Sequence, residues 1–170
     1  MDPENTHCLI RPAIEQIKTG NYSAARDNFA KVRKVKRDAD VLVQEGIAWQ
    51  QAGVNKDAEA AYVAALRLDP KSFEAHDNLG FVLFEFGRFQ EALSHFRRAT
   101  ELKPQDPDAQ AGKAIALQAM GKHSEAIATY RSAVQVDKKY LDCETLQKEF
   151  LWSKTACKTA APLIAQISRK

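Results

Sequence analysis

The fold is decided by residues 76–96, which read HDNLGFVLFEFGRFQEALSHF. Apolar residues recur there at the three- and four-residue spacings of amphipathic helices, both before and after Gly87. A helix ends readily at glycine, because glycine adopts the left-handed backbone conformation of a helix C-terminus at little cost. The stretch therefore predicts two helices joined at Gly87, which is a helical hairpin.

The same pattern recurs four times along the chain. Four glycines are spaced by 33, 34 and 34 residues, each is followed five residues later by an alanine, and four residues after that comes an aromatic residue. The four sets are Gly20, Ala25 and Phe29; Gly53, Ala58 and Tyr62; Gly87, Ala92 and Phe96; and Gly121, Ala126 and Tyr130. A hairpin repeated at this period buries its apolar face by stacking on its neighbours, so the sequence predicts a solenoid.

Residues 76–104 resemble the tetratricopeptide repeat (TPR) family. That family's pattern is Trp-x2-Leu-Gly-x2-Tyr, then Ala-x3-Phe, then Pro. The matching residues are Leu79, Gly80, Ala92, Phe96 and Pro104, with His76 in place of the tryptophan and Leu83 in place of the tyrosine. The resemblance implies an all-α, right-handed α-solenoid of stacked helical hairpins with C-terminal capping helices.

The period also predicts where the repeats begin and end. We expect a divergent TPR-like hairpin at residues 1–38, three repeats at 39–72, 73–106 and 107–140, and capping helices over 141–170, all in one continuous domain. The period ends at Tyr140, but Ser153 after Trp152 is typical of the residue that caps a helix N-terminus. Pro162 predicts a kink in that last helix, or a later start. The alternative for this segment is a helix that binds a partner.

Bulk composition and charge exclude several classes of protein. The net charge is only +3, so we expect no nucleic-acid partner. We interpret the basic run of Lys31, Arg33, Lys34, Lys36 and Arg37 as cations at a helix C-terminus. The three cysteines show no disulfide or metal-binding pattern. The N-terminus does not resemble a signal peptide, and no segment approaches the roughly 20 apolar residues of a spanning helix. We therefore expect a cytoplasmic protein without membrane insertion.

The sequence lacks the usual signatures of an enzyme. No His-x-x-x-His pair, no Gly-x-Ser-x-Gly motif and no phosphate-binding glycine loop is present. The histidines fall in positions where a packing role is expected. We therefore predict no catalytic residues, no metal site, no cofactor and no enzymatic activity.

The resemblance places partner binding on the first helix of each hairpin, which lines the concave face in this family. The groove residues that it implies are Val43, Ile47, Gln50, Asp77, Phe81, Phe84, Glu85, Ala111, Ile115 and Gln118, with Ile10, Ile14 and Ile17 as an extension. Apolar residues beside carboxylates, with aromatic anchors, favour a partly apolar peptide or protein segment as the ligand. We therefore predict a protein–protein interaction module that acts as an adaptor, scaffold or assembly factor.

Two alternatives remain open. The apolar groove residues Phe81, Phe84 and Ile115 can instead be core, covered by the C-terminal helices or by the N-terminal segment. The protein can also be a structural repeat protein that associates with itself, with its groove filled by its own chain or by another copy in a homo-oligomer.

Overall fold

The computed structural model describes residues 6–36, 38–149 and 152–169, and throughout these ranges the only regular elements are helices. They are α1 (Thr6–Lys18), α2 (Tyr22–Val35), α3 (Ala39–Gln51), α4 (Asn55–Leu68), α5 (Phe73–Glu85), α6 (Phe89–Leu102), α7 (Pro107–Ala119), α8 (His123–Val136), a short 3-10 helix (Lys138–Leu141), α9 (Cys143–Glu149) and α10 (Lys154–Ser168). The prediction of an all-α fold is confirmed. The chain forms two compact units, an N-terminal unit of residues 1–75 and a C-terminal unit of residues 76–170.

Helices begin at Ala39, Phe73 and Pro107, the first residues of the three predicted repeats. Local capping explains two of these starts. The Asp38 side chain accepts a hydrogen bond from the Val41 backbone N–H at 2.8 Å, which satisfies a donor that has no partner within the helix. The Asp106 side chain does the same for the first turn of α7, where Pro107 needs no hydrogen-bond partner of its own.

The first helix of each hairpin ends two residues before the glycine that marks the repeat. All four of these glycines have positive φ, between 72° and 77°. At Gly87, the backbone N–H of Arg88 donates to the Leu83 carbonyl at 3.0 Å, and that of Gly87 donates to the Phe84 carbonyl at 2.9 Å. This paired arrangement closes a helix C-terminus, so the predicted role of the glycines is confirmed.

The core of the N-terminal unit is centred on Trp49, which is 1% exposed. The ring of Phe29 lies 5.8 Å from it and the ring of Tyr22 meets it edge-on at 6.0 Å. Helices α1 and α2 pack as one hairpin and α3 and α4 as the next. The Tyr62 ring fills the position where a Cβ on Gly46 would be, which brings the backbone of α3 close to α4.

The core of the C-terminal unit is built around Phe96, which is fully buried. A Cβ on Gly80 would lie 2.7 Å from the ring atom Cε1 of Phe96, and a Cβ on Gly112 would collide with the same ring. The ring is therefore seated on two glycines, one from α5 and one from α7. Repeat glycines within the first helices thus provide the space that the aromatic residues of the second helices fill.

The C-terminal segment is helical, as predicted. The Ser153 Oγ accepts a hydrogen bond from the Ala156 backbone N–H at 2.9 Å, so the predicted cap at the start of α10 is confirmed. This helix then continues through Pro162 to Ser168, with no later start. Ala160 and Leu163 lie on the buried face of α10, and α10 packs on α7 and α8.

Candidate functional site

The predicted groove residues of the N-terminal unit lie on α3. Val43 is buried, whereas Ile47 and Gln50 are half-buried. The Gln50 Oε1 accepts a hydrogen bond from the Tyr62 hydroxyl at 2.9 Å, which ties the amide to the second helix of its own hairpin. Ile47 is therefore the apolar member of this set that remains partly accessible within its unit.

The predicted groove residues of the C-terminal unit are more deeply covered. Asp77, Phe81, Ala111 and Ile115 are buried, and Glu85 and Gln118 are half-buried. Phe84 is only 1% exposed, and its ring lies 5.2 Å from the ring of Phe89 at the start of α6. Phe84 thus packs inside its own hairpin.

Phe81 is covered by an aromatic residue from the C-terminal segment. The ring centroid of Trp152 lies 5.5 Å from that of Phe81, and Trp152 is only 3% exposed. The indole Nε1–H of Trp152 donates a hydrogen bond to Oδ1 of Asp108 at 2.9 Å. Because indole has a donor and no acceptor, this carboxylate satisfies its entire hydrogen-bonding capacity.

Two further residues that follow α8 reach the first helices. Tyr140 is fully buried, its ring lies 6.3 Å from that of Trp152, and its hydroxyl lies close enough to Asp108 to interact with it electrostatically. The Ser153 hydroxyl donates to Oε1 of Glu85. We call Tyr140, Trp152 and Ser153 the latch, and Phe81, Glu85 and Asp108 the latch site.

The electrostatics of the latch site are dominated by Asp108. Burial raises the pKa of this carboxyl group from its usual 3.8 to about 7, and the nearby carboxylate of Asp106 acts in the same direction. The hydrogen bond from Trp152 opposes the rise by stabilising the ionised form. Burial also raises the pKa of Tyr140 well above its usual range, so this hydroxyl keeps its proton.

The raised pKa of Asp108 makes a testable prediction. Between about pH 4 and pH 7 the folded protein retains a proton that the unfolded chain has released, so this group's contribution to stability falls as the pH rises. The expected decrease is at most about 1.4 kcal/mol per pH unit and ends above about pH 7. Urea denaturation across this range measures it, with Asp108→Asn as the reference.

The Asp108→Asn protein keeps the other groups that face this position, Asp106, Tyr130 and Tyr140, so its difference from the wild type isolates the one carboxyl group. The free energy of unfolding of the wild type, relative to this variant, should decline from pH 4 to pH 7. A difference that rises or stays level over this interval would contradict an Asp108 that retains its proton.

Two other clusters of reactive side chains lie outside the latch site. The Nδ1 atoms of His76 and His95 lie 2.9 Å apart. Burial, and to a smaller extent repulsion from His76, lowers the pKa of His95 to about 4. No group of three potential metal ligands occurs within the described ranges. The thiol of Cys157 lies 3.5 Å from the backbone carbonyl of Cys143, and burial raises its pKa to about 12, which disfavours a nucleophilic thiolate.

The sequence prediction did not include Asp108, Tyr140, Trp152 or Ser153 among the site residues. Asp108 has the pattern of an ordinary acidic residue in the first turn of a helix, and Ser153 was assigned only as a cap. The signal that the sequence offers is a pair of large aromatic residues: Tyr140, at the end of the last repeat, and Trp152, which follows it.

The family comparisons identify the class of this protein. Two sequence models described as tetratricopeptide repeat match residues 43–107 and 83–148, so together they span more than half of the chain. The chain belongs to the tetratricopeptide repeat family. Human tetratricopeptide repeat protein 6 is 28% identical to it over 98 residues, which are 58% of this chain and 19% of that protein. The chain thus spans about a fifth of the length of this curated relative.

Solved structures show the same fold. The crystal structure of MamA matches with a TM-score of 0.67 and 21% identity, covering 92% of this chain and 96% of that one. YrrB, described as a TPR protein with an unusual peptide-binding site, matches with a TM-score of 0.65 and 20% identity, covering 86% and 75%. The TPR domain of Arabidopsis OM64 gives 0.60 and 18%, covering 76% and 97%. At these identities the likeness establishes the TPR solenoid fold.

Among the helices of the described ranges, none combines the length and the apolar character that crossing a bilayer requires.

Proposed function

We propose that this protein is a protein-interaction module that holds a segment of a partner protein against the first helices of its hairpins. The observation that carries the proposal is the latch itself. The first helices α5 and α7 already accommodate an aromatic side chain and two hydrogen-bond donors from a polypeptide segment, here their own C-terminal segment. A surface that accepts these groups has the chemistry that peptide recognition requires.

The N-terminal unit offers an unfilled counterpart. A cavity of about 300 Å³ lies between α1 and α3, with Ile14, Ile17, Tyr22 and Ala48 in its wall. That volume is at the lower end of the range for ligand pockets and suits one or two apolar side chains. The peptide-binding site described for YrrB, a protein of the same fold, agrees in kind with such a role. We therefore propose a partly apolar peptide segment as the ligand.

The proposal also covers the mode of action, the location and the class of partner. We propose that the protein acts by binding and not by catalysis, in the cytoplasm, with a protein and not a nucleic acid as its partner. The groups that would support chemistry favour this view, since the pKa of the Cys157 thiol is raised and His95 is held neutral by burial.

Substitution of Ile47 tests the proposal, because this side chain is partly accessible on α3. We expect Ile47→Glu to place a charge on the binding face and to weaken partner capture at least tenfold, since a desolvated carboxylate without a partner opposes apolar docking. Pull-down with purified bait, quantified by mass spectrometry, measures this.

The matched control is Val35→Glu, the same kind of change at a side chain that is 69% exposed on α2 of the same unit. Both variants should retain wild-type helicity by circular dichroism. The proposal fails if the folded Ile47→Glu bait recovers the same partners in the same amounts as the Val35→Glu bait.

One alternative function is favoured by a specific observation. Because the latch site is filled by this chain's own segment, the same segment from a second copy has the chemistry to fill it. A self-associating structural protein would use that exchange in place of a separate partner.

A further inference from the structure

We propose that residues 152–168 are an internal ligand of the latch site, and that the site takes partner segments of the same chemistry: a tryptophan followed directly by a serine or threonine that begins a helix. This inference rests on the proposed function and adds to it the ligand class and a competing segment. The proposed ligand is thus a segment of a partner protein, which binds the latch site when the internal ligand leaves it.

The contacts of Trp152 and Ser153 are those of a ligand anchor. Trp152 presents one large ring to Phe81 and one N–H donor to Asp108, and Ser153 presents one hydroxyl to Glu85. An aromatic anchor in a desolvated pocket, with a few placed polar contacts, is the pattern that concentrates binding energy at protein interfaces. The packing of the Phe96 ring against Gly80 and Gly112 in the same unit is instead apolar.

The donors of the latch define the preferred ligand. Asp108 requires a donor at the edge of the ring, which tryptophan supplies at 2.9 Å and phenylalanine lacks. The Ser153 hydroxyl donates to Glu85 while accepting from the Ala156 backbone N–H, so this residue must both donate and accept. Serine and threonine do so. An aspartate would cap the helix, but it would place a second carboxylate against Glu85.

An internal ligand sets a threshold for partners. A tethered segment acts at an effective concentration on the order of millimolar. A partner segment therefore binds only if its binding free energy outweighs that of the tethered segment. Loosening the internal ligand should therefore strengthen binding in trans.

The probe for this competition is a synthetic peptide of residues 152–169, WSKTACKTAAPLIAQISR, with Cys157→Ser and a fluorescein at its C-terminus. Fluorescence anisotropy measures its Kd for three full-length proteins: wild type, Trp152→Ala and Trp152→Phe. Truncating an aromatic anchor commonly costs about 2 kcal/mol or more, so we expect Trp152→Ala to bind the probe at least tenfold more tightly than the wild type. Trp152→Phe retains the ring and should show a smaller gain.

The matched control is the same peptide with its own Trp152→Ala, which should lose at least tenfold in affinity for the Trp152→Ala protein. Amide hydrogen exchange of the wild type, with and without the probe, gives a test that does not depend on the stability of any variant. Saturating probe should raise the amide hydrogen exchange of residues 154–168, because the displaced helix becomes exposed.

The inference is overturned if Trp152→Ala, folded by circular dichroism, binds the probe no more tightly than the wild type, or if saturating probe leaves that exchange unchanged. It is also overturned if sedimentation velocity shows a dimer at the concentrations of the assay that the probe dissociates into monomers, since the natural occupant would then be a second copy. These outcomes leave the Ile47→Glu comparison unaffected, so this inference can fail while the proposed function stands.

Discussion

Phe96→Ala is expected to lower the free energy of unfolding of the C-terminal unit by about 3–5 kcal/mol, the usual cost of removing a buried phenylalanine ring. The ring is fully buried and lies against Gly80 and Gly112, whose missing side chains make the space that it fills. Neither glycine can relax to close the resulting cavity, since each belongs to the backbone of a helix. Urea denaturation followed by circular dichroism measures the change.

The matched control is Phe86→Ala, the same substitution at a side chain that is 38% exposed in the same unit. It should change the free energy of unfolding by less than about 1 kcal/mol, as surface substitutions usually do. Equal effects of the two substitutions would mean that Phe96 does not hold the hairpins together.

Phe96 also shows why the fold was predictable from the sequence. In each of the four repeats a glycine marks the end of the first helix and an aromatic residue marks a packing position. Both features depend on geometry within a single hairpin. The helix starts at Ala39, Phe73 and Pro107 follow from the period alone. Capping and periodicity act over a few residues, which is the range over which a sequence pattern is informative.

The side-chain directions on α5 were harder to predict. Asp77, Phe81 and Glu85 are spaced by four residues and thus share one face of the helix. Phe84, one position before Glu85, is turned toward the start of α6 and meets Phe89. The spacing of four residues places Asp77, Phe81 and Glu85 on one face of α5, but it does not say which residues that face will meet.

The latch could not be predicted from the repeat, because it joins residues that are far apart in the chain and outside the period. Trp152 and Asp108 are 44 residues apart, and Ser153 and Glu85 are 68 apart. The sequence predicts Ser153 as a helix cap and leaves the covering of the groove by the C-terminal segment as an alternative. The pairing of donors and acceptors appears only once α10 is placed on α7 and α8.

Removal of residues 141–170 is expected to have the largest effect on the protein, causing unfolding or aggregation of the C-terminal unit. The deletion removes several buried apolar side chains, including Leu146, Trp152 and Leu163. Each contributes about 1.5–3 kcal/mol by burial, so together they are comparable to the roughly 5–15 kcal/mol that stabilises a whole domain. Light scattering on a sizing column and a thermal denaturation curve measure the outcome.

A shorter deletion provides the control. A chain that ends at Ile164 keeps Trp152 and Leu163 and loses mainly exposed residues, so it should remain monomeric with a thermal midpoint near that of the wild type. Aggregation confined to the longer deletion would show that the segment covers an apolar face, which causes aggregation when it is exposed to solvent. If the chain that ends at Tyr140 stays monomeric and equally stable, the segment is not a cap. Its contacts with Phe81, Glu85 and Asp108 would then serve binding alone, since the fold would stand without them.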